Sequence, residues 1–446
     1  MCDLSVRKPI KTWTVNSQDS STFKVVNANG FKITYADGTG AQGDYFTDVL
    51  GFGGQTLTNQ TMGIAYESTL SPGLLGIGYD QNEASTGDIP PFVYSSVIDS
   101  LVTQGLISLK AYSLYLDDLQ ASTGSLLFGG LDSDKYQGNL VQMPIIPQTV
   151  GGQTLFTAFA VDMVSLAVSS SPGNSTPVTQ SAFDIPVILD SGTTLTYVPE
   201  SLLLDLVNQL NGAVDQQGFP FVDCSLRDDN AGFTFDFGLG TSDRIVIKVP
   251  AAELIYDSDV YTGGYTPDVS LQNPCALGFQ AQNGAPYVLG DNFLRSAYVV
   301  YDLKNNLIAL GQTNFDSTTS SILDFSADAT TIPVRSGVAT SAVVEPTASG
   351  GTATTDGSGG ETTSFPQTGF TAATASTTPF TIPGNGLPTL SSSTGSFASP
   401  SNSASSSSST QKNSPAVASA QLDRGGLAVV GISLIFAVLG GGWFLA

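Results

Sequence analysis

The chain has 446 residues, enough for two domains with sizeable cores and a tail. With 15 Lys+Arg against 38 Asp+Glu its net charge is −23, so nucleic acid is not an expected partner. It has no histidine, which removes Ser-His-Asp and Cys-His catalysis, HExxH zinc sites and His-ligated metals in one step. Chemistry is left to carboxylates, hydroxyls, Lys, Tyr and backbone groups, and no metal or cofactor is expected. Three cysteines do not make a zinc site. Cys224 and Cys275 read as one disulfide, pointing to an oxidising compartment with Cys2 left over; the alternative is three free buried thiols.

Met1 to Arg7 contains no apolar h-region, so no signal peptide is visible. From Thr22 apolar and polar residues alternate, through Phe23–Val26 and Phe31–Tyr35, as in strands. Ala36-Asp-Gly-Thr-Gly40 is a hairpin turn signal, and Gly43 to Leu50 reads as the returning strand. Tyr35, at the base of that hairpin, reads as a lid residue or as a cross-strand packing residue. Ser71 to Tyr79 is apolar and broken by glycines, a sign of close backbone approach. Ser95 to Gln104 and Glu200 to Leu210 are helix candidates. Ala111–Leu116, Gly124–Gly130, Thr154–Val161, Arg244–Val249 and Tyr298–Asp302 read as strands. Many short strands and few helices make the body mostly β. Gly73-Leu-Leu-Gly76 and Tyr287-Val-Leu-Gly290 resemble each other and read as matching parts of two copies of one β lobe.

The stretch with most chemistry in it is Val187-Ile-Leu-Asp190-Ser-Gly-Thr-Thr194. An apolar strand end delivers one carboxylate into a Ser-Gly turn. Gly192 lets backbone N–H groups come close, and Ser191, Thr193 and Thr194 surround the carboxylate with hydroxyls. Such donors are expected to keep the acid ionised at low pH. The plainer alternative is a strand-to-turn corner chosen for turn chemistry alone.

After Phe315 the composition changes. Ser317 to Gly425 is dominated by Ser, Thr, Ala, Gly and Pro and is expected to be a disordered stalk, O-glycosylated or a plain linker. Asn59-Gln-Thr and Asn174-Ser-Thr are N-glycosylation sequons, meaningful in a secreted chain. Leu427 to Ala446 is apolar and ends without a charged residue. That pattern fits a GPI-anchor signal better than a spanning helix, with attachment among the small residues between Asn413 and Ser419. The expected division is 1–150 for a first lobe, 151–316 for a second, 317–425 for the stalk and 426–446 for the anchor signal.

Four motifs, in this order, resemble the pepsin-like aspartic protease family. Ile33-Thr-Tyr-Ala-Asp-Gly-Thr39 resembles the flap of its first lobe. Val187 to Pro199 resembles the second active-site loop. Val222-Asp-Cys-Ser-Leu and Asn273-Pro-Cys-Ala-Leu resemble the segments carrying the second-lobe disulfide. Tyr287 to Asp302 resembles the segment near the end of that lobe. With the Ser/Thr-rich tail and anchor signal, the chain is similar to the fungal cell-surface yapsin and candidapepsin type.

The resemblance implies a mostly β, bilobal pepsin-like fold and an endopeptidase working in acid. In that family two aspartates share one proton and activate a water. Asp190 would be one of them, with Gly192 and Thr193 bonding its carboxylate and Ser191 tying the two active-site loops together. Thr194 would meet substrate backbone, Tyr35 would be the flap tyrosine, and Asp37 and Thr39 would contact the bound peptide. Cys224 and Cys275 would be disulfide-bonded. A monomer with protein or peptide substrates is implied, secreted and held at the plasma membrane or cell wall by its anchor.

One departure matters. The family's first Asp-Thr-Gly loop is not found; the near match, Asp37-Gly-Thr-Gly, belongs to the flap. Asp190 precedes Gly290 by 100 residues, and the same count back from Gly76 falls before Met1. The first lobe is therefore expected to be incomplete, with Cys2 the widowed half of a disulfide. Three readings follow: an endopeptidase without its N-terminal part, a catalytically dead relative that binds peptides or wall components, or a structural wall protein. A homodimer with one aspartate per chain is discounted, because the chain carries remnants of both lobes.

Overall fold

Alternating apolar residues set up β structure from Phe23 onward. The computed structural model describes residues 17–35, 38–69, 73–87, 92–121, 123–150, 152–170, 174–227, 232–258, 267–333 and 335–338. Strands β1 (Lys24–Thr34), β2 (Gly40–Phe52) and β3 (Gln55–Ser68) form an antiparallel three-stranded sheet. The two short strands expected before residue 36 are one strand. Register shifts between Val25 and Phe31 take up the break, where Asn29 has φ 56° and its N–H donates to Asp44 at 2.6 Å. Tyr45 and Leu57 face inward from this sheet, while Val25, Val26 and Tyr66 are exposed.

Helix α1 (Val97–Thr103) follows, with the Ser96 hydroxyl accepting from the Asp99 N–H at its first turn. Strands β4 (Ala111–Tyr115), β5 (Ser125–Phe128), β6 (Gly130–Asp132) and β7 (Tyr136–Pro144) come next. Strand β8 (Ala160–Ser170) is flanked by β9 (Ile185–Leu189) and by β11 (Thr234–Leu239), which pairs onward with β12 (Ile245–Pro250). The single strand expected over Thr154–Val161 is instead split between Gln153–Leu155 and β8. Strand β10 (Thr196–Pro199) runs into helix α2 (Glu200–Gln209), whose buried stripe is Leu202, Leu203, Leu206 and Val207. Strands β13 (Phe279–Gln282) and β14 (Tyr287–Leu289) complete an eight-stranded sheet in the order β12-β11-β8-β9-β14-β10-β13, with Asn174–Pro177 pairing with the end of β8.

A second sheet joins distant parts of the chain. Its order is β5-β4-β15-β16-β7, where β15 is Ala297–Asp302 and β16 is Leu307–Thr313. The expected lobe boundary near residue 150 is thus crossed, because two strands from near residue 300 lie between strands from before 145. Every residue of β15 is buried, so its unbroken apolar run has a packing cause. Cys224 and Cys275 form the disulfide the resemblance implied, with Cα atoms 4.9 Å apart.

The expected stalk boundary at Ser317 needs correction. Ile322–Asp324 forms β17 and pairs with β6, Phe325 and Ile332 are buried, and the Tyr136 hydroxyl donates to the Arg335 carbonyl. The Ser/Thr-rich composition hides four apolar residues, Ile322, Leu323, Phe325 and Ile332, that bind this segment to the body. The expected two-copy match is also not seen as matching structure. Tyr287–Leu289 is a strand, whereas residues 73–77 carry none, and Leu74 and Leu75 are each 46% exposed. Cys2, the rest of the stalk from 339 to 425 and the anchor signal 426–446 lie outside the described residues.

Candidate active site

Asp190 sits where β9 ends and the chain turns towards β10. The β9 strand pairs in parallel with β14, Val187 to Tyr287 through Leu189 to Leu289, and the Asp190 N–H extends that ladder to the Leu289 carbonyl at 3.1 Å. The carboxylate therefore projects from a ladder buried on both sides. One oxygen accepts from the Gly192 N–H at 2.9 Å and the other from the Thr193 hydroxyl at 2.6 Å. Thr193 is itself 1% exposed, so that hydroxyl is held away from competing water. Ser191 and Thr194 lie on the exposed side of the turn.

The turn rests on the short helix Asp291–Leu294. Asp291 and Asn292 donate backbone N–H groups to the carbonyls of Thr193 and Thr194, at 2.7 and 3.2 Å. Gly290 makes this approach possible, because a Cβ there would lie 2.3 Å from the Thr193 carbonyl oxygen. Asn292 is fully buried and bridges two segments, accepting from the Thr196 hydroxyl at 2.8 Å and donating to the Gly278 carbonyl at 2.6 Å. Behind it Arg295 forms a buried ion pair with Glu253 and donates to the Tyr256 hydroxyl at 3.2 Å, while Glu253 also accepts from the Leu119 N–H at 3.0 Å.

Burial decides the charge state of this site. Desolvation pushes the Asp190 carboxyl up to about 6, against the opposing hydrogen bonds from Thr193 and Gly192. The expectation that those donors keep it ionised at low pH is thus corrected: two hydrogen bonds do not offset the loss of water. Asp291 is also buried, and desolvation holds it well above the usual carboxylate range; the Arg295 charge works against this and Asp190 adds to it. One Asp291 carboxylate oxygen is buried without a partner, which fits a neutral acid. On the other flank Tyr112 and Tyr301 stack with ring centres 4.7 Å apart, and Phe159 packs edge-on to Tyr301 at 4.7 Å. Burial raises both phenols, with Asp190 contributing, so they stay neutral.

The structure thus brings Asp190, Gly192 and Thr193 into one hydrogen-bonded unit, with Thr194 beside it. Tyr35 and Thr39 lie at the tip of the β1–β2 hairpin, where Tyr35 donates its N–H to the Thr39 carbonyl at 2.8 Å. The expected lid side chain is 6% exposed, and it lies near Tyr94, which packs on Tyr45 at 5.5 Å. Asp37 lies outside the described residues. Asn59 and Asn174 are both exposed on strands, as sequons require. Sequence reading missed Asp291, Asn292, Tyr112 and Tyr301. The usable signal was Gly290-Asp291 after an apolar strand, the same order as Leu189-Asp190.

For metal binding, one group of three carboxylates qualifies by distance among the described residues: Asp117, Asp118 and Asp316, with oxygens within 4.8 Å of one another. Asp117 already accepts N–H groups from Asp118 and Asp316 at 3.0 and 2.9 Å, and Asp118 from Gln120 and Ala121, so turn formation accounts for the cluster.

A mostly β body with a carboxylate gripped in an Asp-Ser-Gly turn, at the end of a parallel strand pair, is the architecture of pepsin-like acid proteases. The family model for eukaryotic aspartyl protease matches residues 6–313, and the chain belongs to that family. It is 39% identical over 318 residues to a probable aspartic-type endopeptidase opsB of Aspergillus fumigatus, covering 70% of this chain and 62% of that one. It is 35% identical over 306 residues to secreted aspartic protease 3 of Candida albicans, covering 68% and 67%. In fold it is similar to the crystal structure of the aspartic proteinase from Irpex lacteus, with a TM-score of 0.54, 21% identity, and coverage of 70% of this chain and 88% of that one. The chain thus spans somewhat under two thirds of the opsB relative.

Proposed function

We propose that the chain is the greater part of a secreted aspartic endopeptidase in which Asp190 is one of two catalytic carboxylates. The observation that carries this reading is the grip on Asp190, by the Gly192 N–H at 2.9 Å and the Thr193 hydroxyl at 2.6 Å, in a desolvated turn. The hydrolysis needs a base to take a proton from water and an acid to hydrogen-bond the scissile carbonyl. One carboxyl group cannot do both in the same step. A second carboxyl beside Asp190 shares one proton with it, and the pair confines activity to acid. Ionised, the pair's base removes the water proton, oxygen attacks the peptide carbon, and the tetrahedral intermediate collapses when the amine leaves with a proton. No covalent acyl-enzyme forms.

The second aspartate is proposed to sit on an Asp-Thr-Gly loop of the kind the family carries in its first lobe. Thr194 contacts substrate backbone, and Tyr35, Asp37 and Thr39 form the flap that closes on the peptide. Secretion is supported by the disulfide, the two exposed sequons and the secreted relative in Candida albicans. Anchoring by a GPI group rests on the charge-free apolar end from Leu427 to Ala446. Release from cells by phospholipase C supports the anchor, and survival of a tag placed after Ala446 on the mature protein refutes it.

The test of activity is cleavage of a protein substrate across acid and neutral pH by four proteins: the 446-residue chain, the same chain extended by the upstream segment of its transcript, and each with Asp190→Asn. Cleavage in acid is expected from the longer form alone and is lost with Asp190→Asn. Peptide binding without cleavage in the longer form selects instead a catalytically inactive peptide-binding protein.

A further inference from the structure

We propose that the cleft between β3 and α1 is a seat for the first sugar of an N-linked glycan carried on Asn59. The proposal rests on the secretory reading above and goes beyond it by assigning the cleft an occupant. Asn59 and Thr61, the first and third residues of the sequon, lie at a bulge in β3, where the register against β2 shifts between Leu57 and Gln60. Both border a cleft of about 240 Å³, whose other wall is Ser95, Ser100, Thr103 and Gln104. Asn59 is exposed, and its φ of 54° marks a local departure from strand geometry that leaves the residue accessible.

The lining chemistry selects the ligand. Every side chain bordering the cleft is a hydroxyl or an amide, so it offers both donors and acceptors. No charge favours an anion or a cation, and no aliphatic or aromatic wall favours an apolar ligand. A neutral ring bearing hydroxyl groups and an acetamido group matches that set. The walls are also fixed in advance. Gln104 accepts from the Thr58 N–H at 3.0 Å and donates to the Thr58 carbonyl at 3.1 Å, fastening the end of α1 to β3. Behind the cleft Gln60, 1% exposed, donates to the carbonyls of Thr61 and Ser95, both at 3.1 Å. A rigid cleft beside its own attachment point binds a tethered ring at little entropic cost.

The covalent step is the usual one for such a sequon. The Asn59 side-chain nitrogen displaces the pyrophosphate of a lipid-linked oligosaccharide at the anomeric carbon, losing one proton as the lipid pyrophosphate leaves. Asn174 supplies an internal control. Its strand, Asn174–Pro177, is exposed at every residue and does not border the cleft.

The experiment uses the full chain secreted from a eukaryotic host. One sample is trimmed by an endoglycosidase that leaves a single N-acetylglucosamine on each asparagine, and a second is made sugar-free at each site by Asn59→Gln or Asn174→Gln. Site occupancy is read by peptide mass spectrometry, and stability by the thermal unfolding midpoint. The expected result is that one sugar on Asn59 raises the midpoint by roughly 2–4 °C over Asn59→Gln. That rise disappears in Thr103→Leu, which fills the cleft from an exposed position, and Asn174→Gln has no effect. Equal midpoints with and without the Asn59 sugar, or a rise that survives Thr103→Leu, overturn the proposal. Asn59 bare, with or without a glycan on Asn174, overturns it while sparing the secretory reading; retention of the chain inside the host cell overturns the two together.

Discussion

Asp190→Asn is predicted to stabilise the fold at neutral pH. The Asp190 carboxyl is pushed from 3.8 up to about 6 by burial, so the folded state holds its proton more tightly than the unfolded chain. The sign follows from proton linkage: stability is full below about pH 3.8, declines as pH rises towards 6, and stays reduced above. At about 1.4 kcal/mol per pH decade, the gap amounts to about 3 kcal/mol at pH 7.5. Asparagine has no such titration. It keeps an acceptor for the Gly192 N–H, and the Thr193 hydroxyl can turn to accept from its amide. The variant should therefore be about 3 kcal/mol more stable than the parent at pH 7.5 and nearly equal to it at pH 3, measured by urea unfolding at both pH values. Titrating groups away from Asp190 are common to both proteins and cancel; Asp291, whose carboxyl Asp190 helps to hold up, moves down in the variant and changes the comparison in the same direction. An equal difference at the two pH values would refute the argument that burial, rather than shape, sets the cost of this carboxylate.

Glu83 gives a second pH test, since desolvation pushes it up to about 7, helped by Asp80 and Asp99 and opposed by the Tyr94 N–H and Lys110. Its folded value lies above the unfolded 4.5, so stability falls between pH 4.5 and 7, and Glu83→Gln should flatten that fall in a denaturation series. Replacing Cys224 and Cys275 by Ser opens a disulfide of sequence separation 51 and should cost about 4 kcal/mol on the chain-entropy model; unchanged urea midpoints would contradict it. Phe325→Ala should cost about 3–5 kcal/mol and expose the segment after Asp316 to protease, an outcome not expected if that segment belongs to the stalk.

What was legible in the sequence was local. The Asp190 turn, the β1–β2 hairpin, α1 and α2 each declare themselves by period or turn chemistry within a dozen residues. The resemblance added the cysteine pairing. Long-range burial was not legible. The strand-then-Asp order at Gly290-Asp291 marks a turn but not that Asp291 lies buried close to Asp190, and nothing near Tyr112 announces Tyr301 as its stacking partner. Of the hydroxyls expected around Asp190, that of Thr193 donates to it while Ser191 and Thr194 lie on the exposed side of the turn, and the donors' effect was misjudged, because desolvation depends on what packs behind the turn. The segment after Ser317 was misread for the related reason that four apolar residues in a Ser/Thr-rich run carry no period.

The five-stranded sheet sets the order of events during synthesis. Tyr298 on β15 donates its hydroxyl to Ser113 on β4, 185 residues earlier. At roughly 5–20 residues per second, β4 waits about 10 to 40 s on the ribosome for the strand it will pair with. Over that interval its apolar edge is unpaired, and the early half of the chain cannot close its core alone. Chaperones that shield emerging strands thus act on this half first, and damage to β15 late in the sequence would show itself as aggregation of β4 and β5.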